Sequence, residues 1–234
     1  MSLSNKTVII TGASKGIGRE LALQLSKQQT NLALVARSEA ELKQLQEEIG
    51  NNCLVFVGSV ADETFVNSVV TNTLEAFGSI DFMINNAGYG IFGSTESYTA
   101  QQWSDLYDTN VKGTFLFSKA VLAAMKTQAN GHIINIASDV AKRVFDGGAL
   151  YCSSKFAQDA FSAALRKEVR RHGIKVSVVY SGLVDTNFHP NPHSADKQDW
   201  LTGDDMANAI IYIMNQPKHV VIDELMIHPL SQEY

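Results

Sequence analysis

Apolar residues along this chain come in two alternating textures. Short uninterrupted runs lie within Lys6–Thr11 (Val8, Ile9, Ile10), Asn31–Ala36, Leu54–Val57, Ile80–Ile84, Ile133–Ile136 and Lys175–Val179. Most are β-branched and do not alternate with polar residues, as expected of strands covered on both faces. Between them the apolar positions recur at helical spacing. Predicted helices start near Arg19 (Leu21, Ala22, Leu25 and Gln28 on one face) and cover Ser38 to Ile49, Asp62 to Phe77, Thr99 to Gln128, Leu150 to His172 and Gly203 to Asn215. Ser38 with Glu41, and Thr99 with Gln102, have capping-box spacing, and Gly50, Gly78 and Gly173 read as stops. Residues 181–202 form a polar, proline-containing loop, and Val220–Ile222 and Leu225–Ile227 supply at least one final strand. This order predicts an α/β, doubly wound parallel sheet of about seven strands with helices on both faces, one domain over 1–234. Ligands of such folds sit beyond the carboxyl ends of the strands, so the chemistry is sought there.

The first strand runs into Gly12-Ala13-Ser14-Lys15-Gly16-Ile17-Gly18. Glycines there remove side chains where the backbone turns and where a bulky anion approaches. The helix N-terminus behind them offers free N–H groups and partial positive charge, which suits a pyrophosphate. After the second strand no acid stands at Ala36 or Arg37 to take ribose hydroxyls. Arg37, with Lys15, instead suits a 2′-phosphate through charge-assisted bonds, which predicts NADP(H) rather than NAD(H). A merely solvated Arg37 is the plain alternative. Asn85-Asn86-Ala87-Gly88 ends the fourth strand with amides that can tie strands together and small residues that leave room for a nucleoside. Asn110 interrupts an apolar stripe of Trp103, Leu106, Tyr107, Thr114, Phe117, Val121 and Met125. A buried amide without partners costs about 1–3 kcal/mol, so Asn110 needs a specific hydrogen-bond partner. Ser138 follows the fifth strand, and Tyr151 and Lys155 are one helical turn apart on a shared face. An ammonium near a phenol favours the phenolate, which predicts a lowered Tyr151 pKa and a proton donor usable near neutrality.

Composition narrows the partners. The net charge of −5 and the lack of a dense Lys/Arg cluster disfavour nucleic acid. Cys53 and Cys152 are the only cysteines and stand far apart, giving neither a disulfide framework nor zinc spacing. No apolar run approaches the ~18 residues of a membrane helix. The first strand begins so near Met1 that no signal peptide is expected, and the expected location is cytoplasmic.

Together, Thr11-Gly12-x-x-x-Gly16-x-Gly18, Asn85-Asn86-Ala87-Gly88, Asn110, Ser138 and Tyr151-x-x-x-Lys155 resemble the short-chain dehydrogenase/reductase family in its short, Rossmann-type form, from about residue 5 to 215. The resemblance implies Tyr151 as general acid/base and Ser138 as the hydrogen-bond partner of the substrate oxygen. It implies that Lys155 binds the nicotinamide ribose, and that Asn110 holds a water linking Lys155 to a proton relay. Gly12, Ser14, Lys15, Gly16, Ile17, Gly18, Asn86, Ala87 and Gly88 would hold the dinucleotide, and Val184 and Thr186 would contact its carboxamide. Two positions depart from the pattern: Ser59 replaces an Asp expected to contact adenine, and Ser181-Gly182 replaces Pro-Gly. The neighbourhood of Tyr151 and the ending Glu224–Pro229 look like the subgroup of 3-hydroxy acid and serine dehydrogenases. Loop 185–202 would be a substrate lid, with Phe188, His189, Trp200 and Leu201 facing a pocket. His189 and His193, separated by prolines 190 and 192, do not make a metal pair, and no metal is expected. The stripe Leu106–Met125 and the helix after Tyr151 resemble the family's dimer interface, implying a homodimer or homotetramer, though packing on the sheet competes for the same residues. The implied function is an NADP(H)-dependent interconversion of carbonyl and alcohol on a small or medium substrate. A non-catalytic NADP(H) sensor or scaffold is the alternative, and a sugar-nucleotide epimerase fits the glycine spacing less well.

Overall fold

In the order of the chain, the strands are β1 (Thr7–Thr11), β2 (Asn31–Ala36), β3 (Cys53–Val57), β4 (Phe82–Asn85), β5 (Gly131–Ile136), β6 (Ile174–Ser181) and β7 (Glu224–Ile227). All seven form one parallel sheet in the order β3-β2-β1-β4-β5-β6-β7. The strand order reverses between β1 and β4, and the carboxyl ends of those two strands open a crevice there. The computed structural model describes residues 2–50, 52–186, 188 and 198–233.

Both faces of the sheet are buried, which is why the strands read as unbroken apolar runs. Val8 and Ile10 of β1 point to the layer made by α1 (Gly16–Ser26), α2 (Glu39–Ile49) and α7 (Gly203–Met214). Ile9, between them, points to the opposite layer of α3 (Glu63–Phe77), α5 (Gly113–Gln128) and α6 (Ala149–Val169).

Three local expectations change. Helix α1 begins at Gly16, three residues before Arg19. The single helix expected over Thr99–Gln128 is α4 (Ala100–Tyr107) and α5 joined by a π-helical turn, Asp108–Lys112, which carries the fully buried Asn110. Of the two final apolar runs, at least one of them expected as a strand, Glu224–Ile227 pairs with β6 and Val220–Ile222 does not. The capping box at Thr99 forms, but Ser38 caps nothing with its side chain, and Glu41 instead pairs with Lys15 at 2.9 Å. Of the apolar stripe, Leu106, Phe117, Val121 and Met125 are buried in the core, whereas Trp103 is exposed and stacks on Tyr107 at 4.8 Å.

Candidate active site

The crevice is built where β1, β4 and β5 end. Thr11 Oγ1 accepts the N–H groups of Asn86 and Ala87, both at 3.0 Å, and donates to Ile84 O at 3.3 Å. Asn86 Nδ2 donates to Thr11 O at 3.0 Å and Gly12 O at 3.2 Å. Asn85 Nδ2 reaches across to Asn135 Oδ1 at 2.8 Å and Ser118 Oγ at 3.0 Å. These amides fix the strand ends, as expected of the Asn-Asn-Ala-Gly segment. Gly12 has φ +65°, and a Cβ there would stand 2.9 Å from Ala87 Cα. Gly18 does not line the cleft; it lies behind the turn, where a Cβ would meet Gly12 O at 2.5 Å and force α1 away from the loop. Lys15 occupies the N-cap of α1 without a side-chain cap, so the first-turn N–H groups keep their capacity for an acceptor.

From this turn a cleft of about 540 Å³ runs along the sheet edge, within the range usual for ligand sites. Ser14, Lys15, Gly16, Ile17, Arg37 and Ser59 line one end; Ala87 and Gly88 line its middle. Arg37 is exposed at the rim and has no ion pair among the described residues. Ser59 Oγ accepts from Ala61 N at 3.2 Å.

At the other end stand Ser138, Tyr151 and Lys155. Ser138 follows β5 and caps the short turn Asp139–Ala141, while its hydroxyl donates to Asp139 Oδ1 at 3.0 Å and has Ser181 O within 3.4 Å. Tyr151 and Lys155 project from the first turns of α6, as their spacing requires. Lys155 Nζ donates to Ile136 O at 3.2 Å and Gln158 Oε1 at 3.1 Å, and lies 5.8 Å from the centre of the Tyr151 ring. Asn110 stands behind the cleft wall: Oδ1 accepts from Tyr89 N at 3.1 Å, and Nδ2 donates to Tyr89 O at 2.9 Å and Ser154 Oγ at 3.1 Å. A Cβ on Gly88 would stand 3.2 Å from Asn110 Oδ1 and 3.6 Å from Lys155 Nζ.

A model of the short chain dehydrogenase family matches residues 6–197. The chain belongs to that family. An uncharacterized oxidoreductase of Staphylococcus saprophyticus is 35% identical, covering 98% of this chain and 100% of the relative. Among solved structures, the closed form of a serine dehydrogenase complexed with NADP+ superposes with a TM-score of 0.91 at 27% identity, covering 97% of this chain and 96% of the other. An alcohol dehydrogenase of the archaeon Thermococcus sibiricus, complexed with 5-hydroxy-NADP, gives 0.89 at 29% identity, covering 98% of both chains.

The electrostatics of this short-chain dehydrogenase correct one expectation. The Tyr151 pKa lies above the ordinary phenol value, not below it. Burial is the main cause; the hydrogen bond from Ser138 offsets part of it, and the Asp139 charge adds to it. Lys155 spends two of its three N–H donors on Ile136 and Gln158, and burial pushes its own pKa down to about 8.

Phe188 lines the site as expected, whereas Asp139 with Gln232, and Phe92, close it without any signal in the sequence. Asp139 Oδ2 receives Arg143 through Nε at 2.9 Å and through Nη2, Gln232 Nε2 at 2.9 Å, and has His228 Nε2 at 3.4 Å. Gln232 Oε1 in turn accepts Leu183 N at 2.8 Å, so the C-terminal segment is tied over the Ser138 end. Phe92 meets the Tyr151 ring edge-on at 5.5 Å, and Phe188 lies 5.6 Å from it. The base of the lid loop is pinned where Val184 bridges Leu201, with Asp185 N donating to Leu201 O at 2.7 Å. Val184, Thr186 and Phe188 line the cleft; Leu201, expected there, is buried in the core beside Met206 instead. Asn187 and 189–197, including His189 and His193, lie outside the described residues.

Proposed function

We propose that this oxidoreductase uses NADP(H) to interconvert a carbonyl and a secondary alcohol on a small or medium substrate. The observation that carries the reading is one continuous cleft with Arg37 at one end and Ser138, Tyr151 and Lys155 at the other. The glycine turn fits a dinucleotide: its backbone is bare where a pyrophosphate would approach, and the α1 N-terminus faces it. The dinucleotide, when bound, supplies or accepts the hydride.

Buried and held protonated, Tyr151 donates a proton to the carbonyl oxygen in reduction and accepts it in oxidation. Ser138 swings its hydroxyl from Asp139 to that oxygen and fixes its direction. Lys155 holds the ribose hydroxyls and contributes positive charge beside Tyr151. Asn110 has both N–H donors committed and its backbone carbonyl already accepts Thr114 Oγ1 at 3.0 Å, so it offers a water only remaining acceptor capacity on Oδ1 and that carbonyl. Arg37 takes the 2′-phosphate, joined by Lys15 after release from Glu41. The NADP-bound serine and alcohol dehydrogenases agree with this cofactor. A homodimer or homotetramer is part of the proposal, supported by Phe115 and Phe156, which stay exposed on the outer faces of α5 and α6.

Steady-state rates with NADPH and NADH against a panel of ketones, aldehydes and keto acids test this reading. Arg37→Asp should raise the NADPH KM at least tenfold more than the NADH KM, the loss of a charge-assisted bond being worth about 1.5–3 kcal/mol. Equal changes in both would remove the 2′-phosphate assignment.

A further inference from the structure

Around the Tyr151 ring the structure builds an aromatic wall. Phe92 meets Tyr151 edge-on at 5.5 Å, lies 5.9 Å from Phe145 and 6.4 Å from Phe188, and Phe188 closes on Tyr151 from another side. Gly90 makes this packing possible: a Cβ there would stand 2.5 Å from Phe92 Cζ and 3.0 Å from Phe188 Cζ. Phe92 and Phe145 remain 45% and 43% exposed although both line the cleft. Exposed apolar rings gathered at the mouth of a cleft mark a surface that binds something apolar.

The charges at this end point the same way. Arg143 lines this end, and Asp139, next to Ser138, already holds its Nε and Nη2. A substrate carboxylate would have to displace Asp139, which also accepts Ser138 and Gln232. Asp139 would then lose its guanidinium while still buried, keeping only Ser138, Gln232 and His228, which is costly.

Resting on the carbonyl-reductase reading above, we propose that the substrate is a neutral ketone or aldehyde whose carbonyl carries an aromatic or similarly bulky apolar group. That group packs among Phe92, Phe145 and Phe188, which act as specificity-determining residues. In the reduction, hydride from NADPH forms the new C–H bond at the carbonyl carbon, the C=O π pair takes the proton of Tyr151, and solvent restores that proton. The products are NADP+ and the corresponding alcohol, secondary from a ketone and primary from an aldehyde. The likeness to a serine dehydrogenase, at 27% identity, does not extend to this reading: among the described residues Arg143, at the Ser138 end, is already paired with Asp139.

The test compares acetophenone, butanone and benzoylformate, a carboxylate-bearing aryl ketone, in the wild type and in Phe92→Ala. Acetophenone should exceed both others in kcat/KM by about tenfold or more, and Phe92→Ala should cut the acetophenone-to-butanone ratio by about tenfold. A preference for benzoylformate or butanone overturns the substrate class while leaving the reductase reading intact. Calorimetric titration of the same three compounds into the NADP+-loaded protein reads the wall without turnover. If no carbonyl is reduced, the reductase reading fails. The wall still stands if acetophenone binds more tightly than butanone and Phe92→Ala abolishes the difference; equal binding overturns it.

Discussion

Replacing Asn110 with Ala should loosen the protein and the cofactor end of the site together. Its side chain is fully buried and makes three hydrogen bonds, two to the Tyr89 backbone and one to Ser154 Oγ. Ser154 keeps its own bond to Tyr151 O at 2.7 Å, so the loss concentrates on the N–H and C=O of Tyr89. Leaving a buried polar group unpaired costs about 1–3 kcal/mol, so two groups cost about 2–6 kcal/mol. In a chain of this length each kcal/mol moves the melting temperature by about 2–4 °C, which makes the expected fall about 4–24 °C. The segment released also holds Gly88, which packs against Asn110 Oδ1 and Lys155 Nζ, so the NADPH KM should rise more than kcat falls. Asn110→Asp keeps the acceptor for Tyr89 N but loses both donors and sets a carboxylate against Tyr89 O, so it should not rescue. Thermal unfolding followed by circular dichroism reads the effect. A melting temperature within about 1 °C of wild type would refute the view that this amide holds the π-helical turn to the cofactor loop.

His132 is buried against Ser177 Oγ at 2.7 Å, and burial, helped by the Lys175 charge, pushes its pKa down from 6.5 to about 3. The unfolded chain therefore binds the extra proton between those values, and this stability is present above pH 6.5 and lost as pH falls: about 1 kcal/mol at pH 5.5. The melting temperature should drop more steeply from pH 7.5 to 5.5 in wild type than in His132→Asn; parallel slopes would dismiss the buried neutral histidine. Lys155, its pKa lowered to about 8 by burial, should lose charge as pH rises through that value, weakening NADPH binding by pH 9, and Gln158→Leu should move the midpoint lower; affinity independent of pH would count against it. Phe115→Glu or Phe156→Glu should convert a dimer or tetramer to monomer in sedimentation velocity, and an unchanged coefficient would place the interface elsewhere.

Much of this was legible in the residues, for identifiable reasons. Strands covered on both faces leave unbroken apolar runs such as Val8–Ile10, and parallel strands need helices between them, so the doubly wound sheet was readable from order alone. The site motifs sit at strand ends or one helical turn apart, so their proximity followed from periodicity. What failed depended on contacts distant in sequence. Nothing in the Thr99–Gln128 pattern marks a π-helical turn, whose buried Asn110 is held by Tyr89, 21 residues away. Lys15 draws Glu41 out of its capping box. Tyr151 and Lys155 share a helix face, but spacing does not reveal how deeply both are buried, and burial decides the direction of the Tyr151 pKa. Phe92, Phe145 and Gln232 carry no periodic signal and reach the cleft only through loop packing.

The most direct test of the account is NADPH oxidation with an aryl ketone by wild type and Tyr151→Phe, with NADPH affinity measured on both by calorimetry. The phenylalanine ring keeps the packing against Phe92 and Phe188 and removes only the hydroxyl that carries the proton. Turnover should fall about 10²–10⁴-fold while NADPH affinity stays unchanged. Turnover preserved in Tyr151→Phe would contradict the account, because the proton would then come from another group.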